Sequence, residues 1–184
     1  THVRPFHVLV FGGSQGARAI NEAMVQALPI LSGWKDRIRF VHQTGEAQLE
    51  EMRRAYAAAG IEADVRSFFP DFHAQYAWAD LIVSRAGATT VAEVKAAGRA
   101  AILVPFPFAA DDHQTRNAQA MAAEDAAVLI RNEELTGARL AETIEALLSN
   151  PSRLIEIEDN ARRLAILDAE SRIVDLAEKA AARV

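Results

Sequence analysis

His7-Val8-Leu9-Val10-Phe11 runs directly into Gly12-Gly13-Ser14-Gln15-Gly16-Ala17, and that junction decides the fold. A short run that is apolar on both faces reads as a strand in the middle of a parallel sheet. The glycines that end it let the backbone turn tightly, with no Cβ between it and a ligand. Past the turn, Ser14 is placed to cap a helix whose apolar residues Ala17, Ile20, Met24, Ala27 and Leu28 share one face.

Working outward, the same strand-and-helix unit recurs. Ile38–His42 is strand-like, and Leu49, Met52 and Tyr56 mark a helix that stops at Gly60. Ala63–Phe68 is a third strand, followed by a loop with Pro70 and a short helix through Tyr76 and Trp78. Leu81–Ser84 leads through Gly87 into a helix that ends at Gly98, and Ala101–Val104 is a fifth strand closed by Pro105. A helix over Gln114–Glu124 precedes a sixth strand, Ala127–Ile130. From about Leu135 the chain reads as helical, divided by Pro151, with Leu154, Ile157, Ala161 and Leu164 on one stripe. This alternation predicts an α/β fold: one domain over residues 1–184, a Rossmann-like, doubly wound, six-stranded parallel sheet with added C-terminal helices.

Composition narrows the function. The 184 residues carry 20 Lys and Arg against 25 Asp and Glu, a net charge of −5, which argues against a nucleic-acid-binding domain. There is no cysteine, which excludes a disulfide scaffold, a thiolate zinc cluster and a thiol nucleophile. The longest apolar run, Ala100–Ala110, is broken by Pro105 and Pro107 and is too short to span a bilayer. Thr1–Arg4 leads almost at once into the first strand with no visible leader, so a soluble, cytoplasmic protein is expected.

In an open parallel sheet, ligands bind beyond the carboxyl ends of the strands. Four segments there carry the unusual residues. Gly12-Gly13-Ser14-Gln15-Gly16 reads equally as an anion-binding turn at a helix amino end or as a plain capped turn. Its spacing is not G-x-G-x-x-G and no acid ends strand two, so a nicotinamide or flavin dinucleotide is disfavoured. In Ser84-Arg85-Ala86-Gly87-Ala88-Thr89-Thr90-Val91-Ala92-Glu93, Thr90 and Glu93 have capping-box spacing, while Glu93 could instead receive the vicinal hydroxyls of a ribose. Pro105 to Asn117 mixes donors and acceptors suited to a sugar around His113 and Gln114; the adjacent Asp111 and Asp112 fit a solvated helix start better than a metal site. Phe68-Phe69-Pro70-Asp71-Phe72 could frame a flat base, although core packing more often explains such a cluster. Taken together, these loops suit a nucleotide diphosphate sugar.

Phe11–Ala17, Tyr76-Ala77-Trp78-Ala79-Asp80, Ser84–Glu93 and Asp112-His113-Gln114-Thr115-Arg116-Asn117-Ala118 resemble, in order, the C-terminal half of the peptidoglycan N-acetylglucosaminyltransferases of glycosyltransferase family 28. That resemblance implies the donor lobe of a two-lobed GT-B enzyme that moves N-acetylglucosamine from UDP-GlcNAc onto undecaprenyl-linked lipid I, giving lipid II, with inversion and without a protein-held metal or other cofactor. It assigns Gly12, Gly13, Ser14, Gln15 and Gly16 to the nucleotide and its phosphates, and the Phe69 backbone to the uracil edge with Phe68 nearby. Glu93 takes the ribose; Ala88, Thr89 and Thr90 approach the diphosphate and sugar, with Arg85 and Gly87 in the same binding loop. His113 and Gln114 contact the N-acetylglucosamine. The general base, the acceptor groove and the membrane patch belong to an N-terminal lobe whose features are not in this sequence, so the catalytic base is unassigned and the enzyme is expected to sit peripherally on the cytoplasmic face of the inner membrane. The alternatives are a donor-binding subunit of a two-subunit transferase, a non-catalytic nucleotide-sugar module, and a UDP-sugar epimerase of the same architecture.

Overall fold

The computed structural model describes residues 4–12, 18–109 and 112–165. Six strands form one sheet: β1 (Phe6–Phe11), β2 (Ile38–Gln43), β3 (Ala63–Arg66), β4 (Leu81–Ser84), β5 (Ala100–Leu103) and β6 (Val128–Leu129). Their order is β3-β2-β1-β4-β5-β6, and every pairing is parallel. Among the described residues seven α-helices accompany them: α1 (Arg18–Leu31), α2 (Leu49–Ala59), α3 (Phe72–Trp78), α4 (Ala88–Ala97), α5 (His113–Ala123), α6 (Gly137–Ser149) and α7 (Pro151–Arg163). The expected doubly wound fold is present.

Alternate residues of each strand feed two cores, one on each face of the sheet. Val8, Val10, Phe40, Leu81, Val83 and Ile102 pack with Ile20, Met24 and Leu28 of α1 and with Leu140 and Ile144 of α6. On the other face Leu9, Phe11, Val41, Ile82 and Leu103 pack with Tyr76 of α3, Val91 and Val94 of α4, and Ala118 and Met121 of α5. Helix α7 lies along α4, α6 and β5, burying Ile157 in the first core and Ala161 in the second. Gly60 and Gly98 end α2 and α4 with φ of 66° and 58°, left-handed values that a Cβ would strain.

Several element ends differ from the sequence reading. β3 stops at Arg66 rather than Phe68, because Thr44 N–H takes the Arg66 carbonyl and the chain then leaves the ladder. β6 is only Val128–Leu129, flanked by Ile130 bonding back to Leu103. Thr90 and Glu93 form no capping box, since α4 already begins at Ala88 with Gly87 as its cap. Ser14 and Ala17 lie outside the described residues.

At the amino edge of the sheet, Asp80 accepts two hydrogen bonds from Arg4, at 2.5 and 2.9 Å, and one from the His7 backbone at 2.9 Å. The His7 ring stacks on Trp78 with centroids 4.1 Å apart. Trp78 and Asp80 thus close the end of the sheet opposite the strand-end loops.

α1 and α6 meet at Gly137, where a Cβ would lie 2.2 Å from Gln26 Cβ and 2.7 Å from the Gln26 carbonyl carbon. Gly137→Ala is therefore expected to cost about 1–3 kcal/mol of unfolding free energy by overpacking, read from urea unfolding. Undiminished stability would mean the two helices can separate freely.

Candidate functional site

The register sets the site. Phe11 lies opposite both Gln43 and Ser84, Gln43 opposite Arg66, Ser84 opposite Leu103, and Leu103 opposite Leu129. All six strands end in one row, so every following loop starts at the same level on one rim. Side chains then tie these loops together. Gln43 accepts the Phe69 amide at 3.1 Å, which joins the loops after β2 and β3. Gln114 Oε1 accepts the amides of Ala86 at 3.2 Å and Phe106 at 3.0 Å, while Asn117 donates to the Ala86 carbonyl at 3.0 Å. α5 thereby grips both polar groups of the turn that starts α4.

Arg85 occupies the middle of this rim. It is only 5% exposed, and its Nη1 donates to the carbonyls of Val104 and Pro105 and to Asn132 Oδ1, at 2.9–3.2 Å. Its buried Nε has no partner, and no carboxylate of the described residues lies within ion-pair distance. Burial pulls its pKa down, yet a guanidinium stays charged in a protein. A buried cation so placed favours an anion beside it.

Gly87, Ala88, Thr89 and Thr90 follow at once, and the first-turn amides of α4 have no carbonyl inside the helix to bond. Ala88 and Thr89 are exposed, and Glu93, half-buried a turn and a half along, accepts the Tyr76 hydroxyl at 2.8 Å. Gly12 is buried at the end of β1, beside this loop; Gly13, Ser14, Gln15 and Gly16 lie outside the described residues. Phe68 is 67% exposed, whereas Phe69 is buried with its amide held by Gln43. The Phe68-Phe69 pair thus splits into one core ring and one rim ring. His113 is exposed at the start of α5, next to the buried Gln114. Among the described residues no group of three His, Asp or Glu converges on a cation position.

Concavities of about 210 and 200 Å³ open on this rim, the first between Arg18, Glu22, Arg85, Phe106 and Phe108, the second between Pro105, Asp112, Thr115 and Asn132. Larger ones, of about 550 and 440 Å³, lie at the amino edge around His7 and Trp78 and around Arg4 and Leu154. The rim is the better candidate because helix amino ends face it, together with a buried cation that has no carboxylate partner among the described residues. At the amino edge, Arg4 is already paired to Asp80.

A buried polar chain supports the rim from below. Tyr56 Oη and His42 Nδ1 are 3.1 Å apart, His42 Nε2 and Asn21 Oδ1 3.0 Å, and Asn21 Nδ2 donates to the Thr44 carbonyl and to Gln48. Asn21 can only accept at Oδ1, so His42 donates from Nε2 and receives the Tyr56 proton at Nδ1. This fixes the first turns of α1 to the loop after β2. The sequence signal for it was a lone histidine in an apolar strand. Asn117 lies in the segment whose mixed donors and acceptors suit a sugar, yet it braces the rim instead, and Asn132 carried no sequence signal.

The Glycosyltransferase family 28 C-terminal domain matches residues 7–178. The UDP-N-acetylglucosamine--N-acetylmuramyl-(pentapeptide) pyrophosphoryl-undecaprenol N-acetylglucosamine transferase of Citrifermentans bemidjiense is 52% identical over 92% of this chain and 47% of its own length. The protein of the same name from Myxococcus xanthus is 48% identical over 93% of this chain and 45% of its own. The chain thus spans about half the length of these curated relatives. The crystal structure of Acinetobacter baumannii MurG superposes with a TM-score of 0.85 at 38% identity, over 97% of this chain and 51% of that one. A UDP-GlcNAc 2-epimerase from Neisseria meningitidis, solved with UDP-GlcNAc, shares the fold alone: TM-score 0.66 at 12% identity, over 97% of this chain and 45% of that one.

Burial pushes the His42 imidazole from 6.5 down to about 3. Between those values the unfolded chain binds a proton that the native one refuses. His42 therefore contributes stability that is whole above the upper value and is lost as pH falls toward the lower, by at most about 1.4 kcal/mol per pH unit. Urea unfolding from pH 7 to pH 4 is expected to show a shallower decline for His42→Gln than for the parent. Parallel declines would contradict a buried, neutral His42.

Proposed function

This chain belongs to glycosyltransferase family 28, and we propose that it is the donor-holding half of an N-acetylglucosaminyltransferase that takes UDP-GlcNAc and glycosylates an undecaprenyl-diphosphate-linked acceptor, making lipid II from lipid I. The observation that carries this reading is the buried Arg85 guanidinium, for which the described residues offer no carboxylate and which lies three residues before Ala88, the first residue of α4, the helix that bears Glu93. A diphosphate meets the cation and the helix amides, and a ribose meets the carboxylate. The names of the half-identical relatives supply the sugar and the acceptor.

In this reading Gly12, Gly13, Ser14, Gln15 and Gly16 wrap the nucleotide phosphates, Phe68 and the Phe69 backbone border the uracil, and His113 and Gln114 face the N-acetylglucosamine. Gln114 spends its oxygen on the Ala86 and Phe106 amides, so it is the side-chain NH₂ that would reach the sugar. The acceptor hydroxyl attacks the anomeric carbon from the face opposite UDP. The bond to the β-phosphate oxygen breaks, UDP leaves with the electron pair, and the configuration inverts. The hydroxyl proton passes to a base on the other half of the enzyme, to which no residue of this chain is assigned. Arg85 and the α4 amides are in place before the charge develops on UDP, so they stabilise it without reorganising. The diphosphate is thereby neutralised without a metal or another cofactor. Because the acceptor is lipid-linked, the complete enzyme works peripherally, on the cytoplasmic face of the membrane; no helix among the described residues is long and apolar enough to cross one.

Calorimetric titration of this chain should give binding of UDP and UDP-GlcNAc and none of NADH. Glu93→Ala should weaken the uridine nucleotides roughly tenfold to a hundredfold, the value of charge-assisted hydrogen bonds. Alone, the chain should transfer no sugar to lipid I. NADH binding, or an unchanged affinity in Glu93→Ala, would overturn the assignment.

A further inference from the structure

The Tyr76-Ala77-Trp78-Ala79-Asp80 segment takes no direct part in donor binding as described. Trp78 and Asp80 serve the amino edge of the sheet, but Tyr76 points to the other end. We propose that Tyr76 is a positioning residue for donor recognition: its hydroxyl holds the Glu93 carboxylate in the orientation that receives the ribose diol, and so sets the preference for a ribonucleotide over a 2′-deoxyribonucleotide. The inference rests on the reading of Glu93 as the ribose receptor.

Tyr76 has almost no freedom of its own. It is 4% exposed, and its ring meets Phe11 edge-on at 6.0 Å and Phe72 at 5.6 Å, with Phe72 in turn 4.7 Å from Phe11. Phe11 is the last residue of β1, in the row where the strands end, so this aromatic trio fixes the Tyr76 hydroxyl relative to the rim. That hydroxyl donates to Glu93 Oε2 at 2.8 Å. Burial and the adjacent carboxylate both push the phenol's pKa up, so it keeps its proton and remains a donor.

Among the described residues Glu93 has no other fixed partner. Among the described residues none donates to Oε1, and no Lys, Arg or His pairs with the carboxylate. A glutamate on a helix surface must lose the freedom of three side-chain torsions before it can receive two hydroxyls in a fixed geometry. The bond from Tyr76 removes much of that freedom in advance. It uses one of about four lone-pair sites on the carboxylate, leaving enough for both ribose hydroxyls. A plain tie between α3 and α4 would hold the helices together equally well but would not alter ligand preference.

The test is calorimetric titration of UDP and 2′-deoxy-UDP into the parent chain, Tyr76→Phe and Glu93→Gln. Phe keeps the ring packing and removes only the donor, and 2′-deoxy-UDP binding reports in the same experiment that the site is intact. The parent should prefer UDP about tenfold, and Glu93→Gln should erase most of that preference. Tyr76→Phe should leave 2′-deoxy-UDP within about twofold of the parent while weakening UDP by about three- to tenfold, so that the ratio collapses. If Glu93→Gln loses the preference but Tyr76→Phe retains it, whether by keeping both affinities or by losing both equally, Tyr76 is a structural tie only and the proposal fails while the ribose reading stands. If the parent does not discriminate, or Glu93→Gln still does, the ribose reading itself fails and the proposal with it.

Discussion

The parallel pairing of β1 with β4 is the constraint on which the rest depends. It is the point where strand order reverses: β2 and β3 extend the sheet one way from β1, and β5 and β6 extend it the other way from β4. Helices leaving β1 and β4 go to opposite faces and open a crevice between them, the usual ligand position in such sheets. Because Phe11 and Ser84 are register partners, Gly12 after β1 and Arg85 after β4 begin side by side at that crevice. A register slip of one residue would reverse which core each side chain enters. The buried rows on both faces therefore hold the loops in place as firmly as any bond on the rim.

On that frame the rim divides its work. In the proposed site, backbone groups and Arg85 supply positive potential that needs no movement, and Glu93, held by Tyr76, supplies the acceptor. The supports lie one layer back: α5 grips the Ala86 turn through Gln114 and Asn117, Asn132 receives Arg85, and the Tyr56–His42–Asn21 chain fastens α1 to β2. Unpaired, a buried guanidinium is costly. The exposed ion pairs on α2, α6 and α7 are individually worth little, so Arg85, buried and without a carboxylate among the described residues, is the more informative charge.

Much of this was legible in the sequence, for identifiable reasons. The apolar runs His7–Phe11 and Leu81–Ser84 are short, buried on both sides and closed by glycine, so strand identity, sheet class and the carboxyl-end location of the loops all follow from local pattern. Strand ends were less legible, because the third strand leaves the ladder where Gln43 captures the Phe69 amide, a contact 26 residues apart in the chain. The role of Glu93 was ambiguous for the same kind of reason. Capping-box spacing is local, and only the tertiary position of Tyr76, 17 residues earlier, shows where the carboxylate is held. Gln114 looked like a sugar ligand; that its oxygen serves two loop amides depends on folds of chain that no spacing rule reports. Asn21, unremarkable in the sequence, and Asn117, which the sequence placed only within a polar loop segment, acquire their parts when α1 and α5 dock.

The measurement that bears most directly on the account is a crystal structure of this chain with UDP-GlcNAc. The diphosphate should lie between the segment that follows Gly12 and the first turn of α4, near Arg85, with both ribose hydroxyls on Glu93. A nucleotide seated instead at the amino edge, among His7, Trp78 and Asp64, would contradict it.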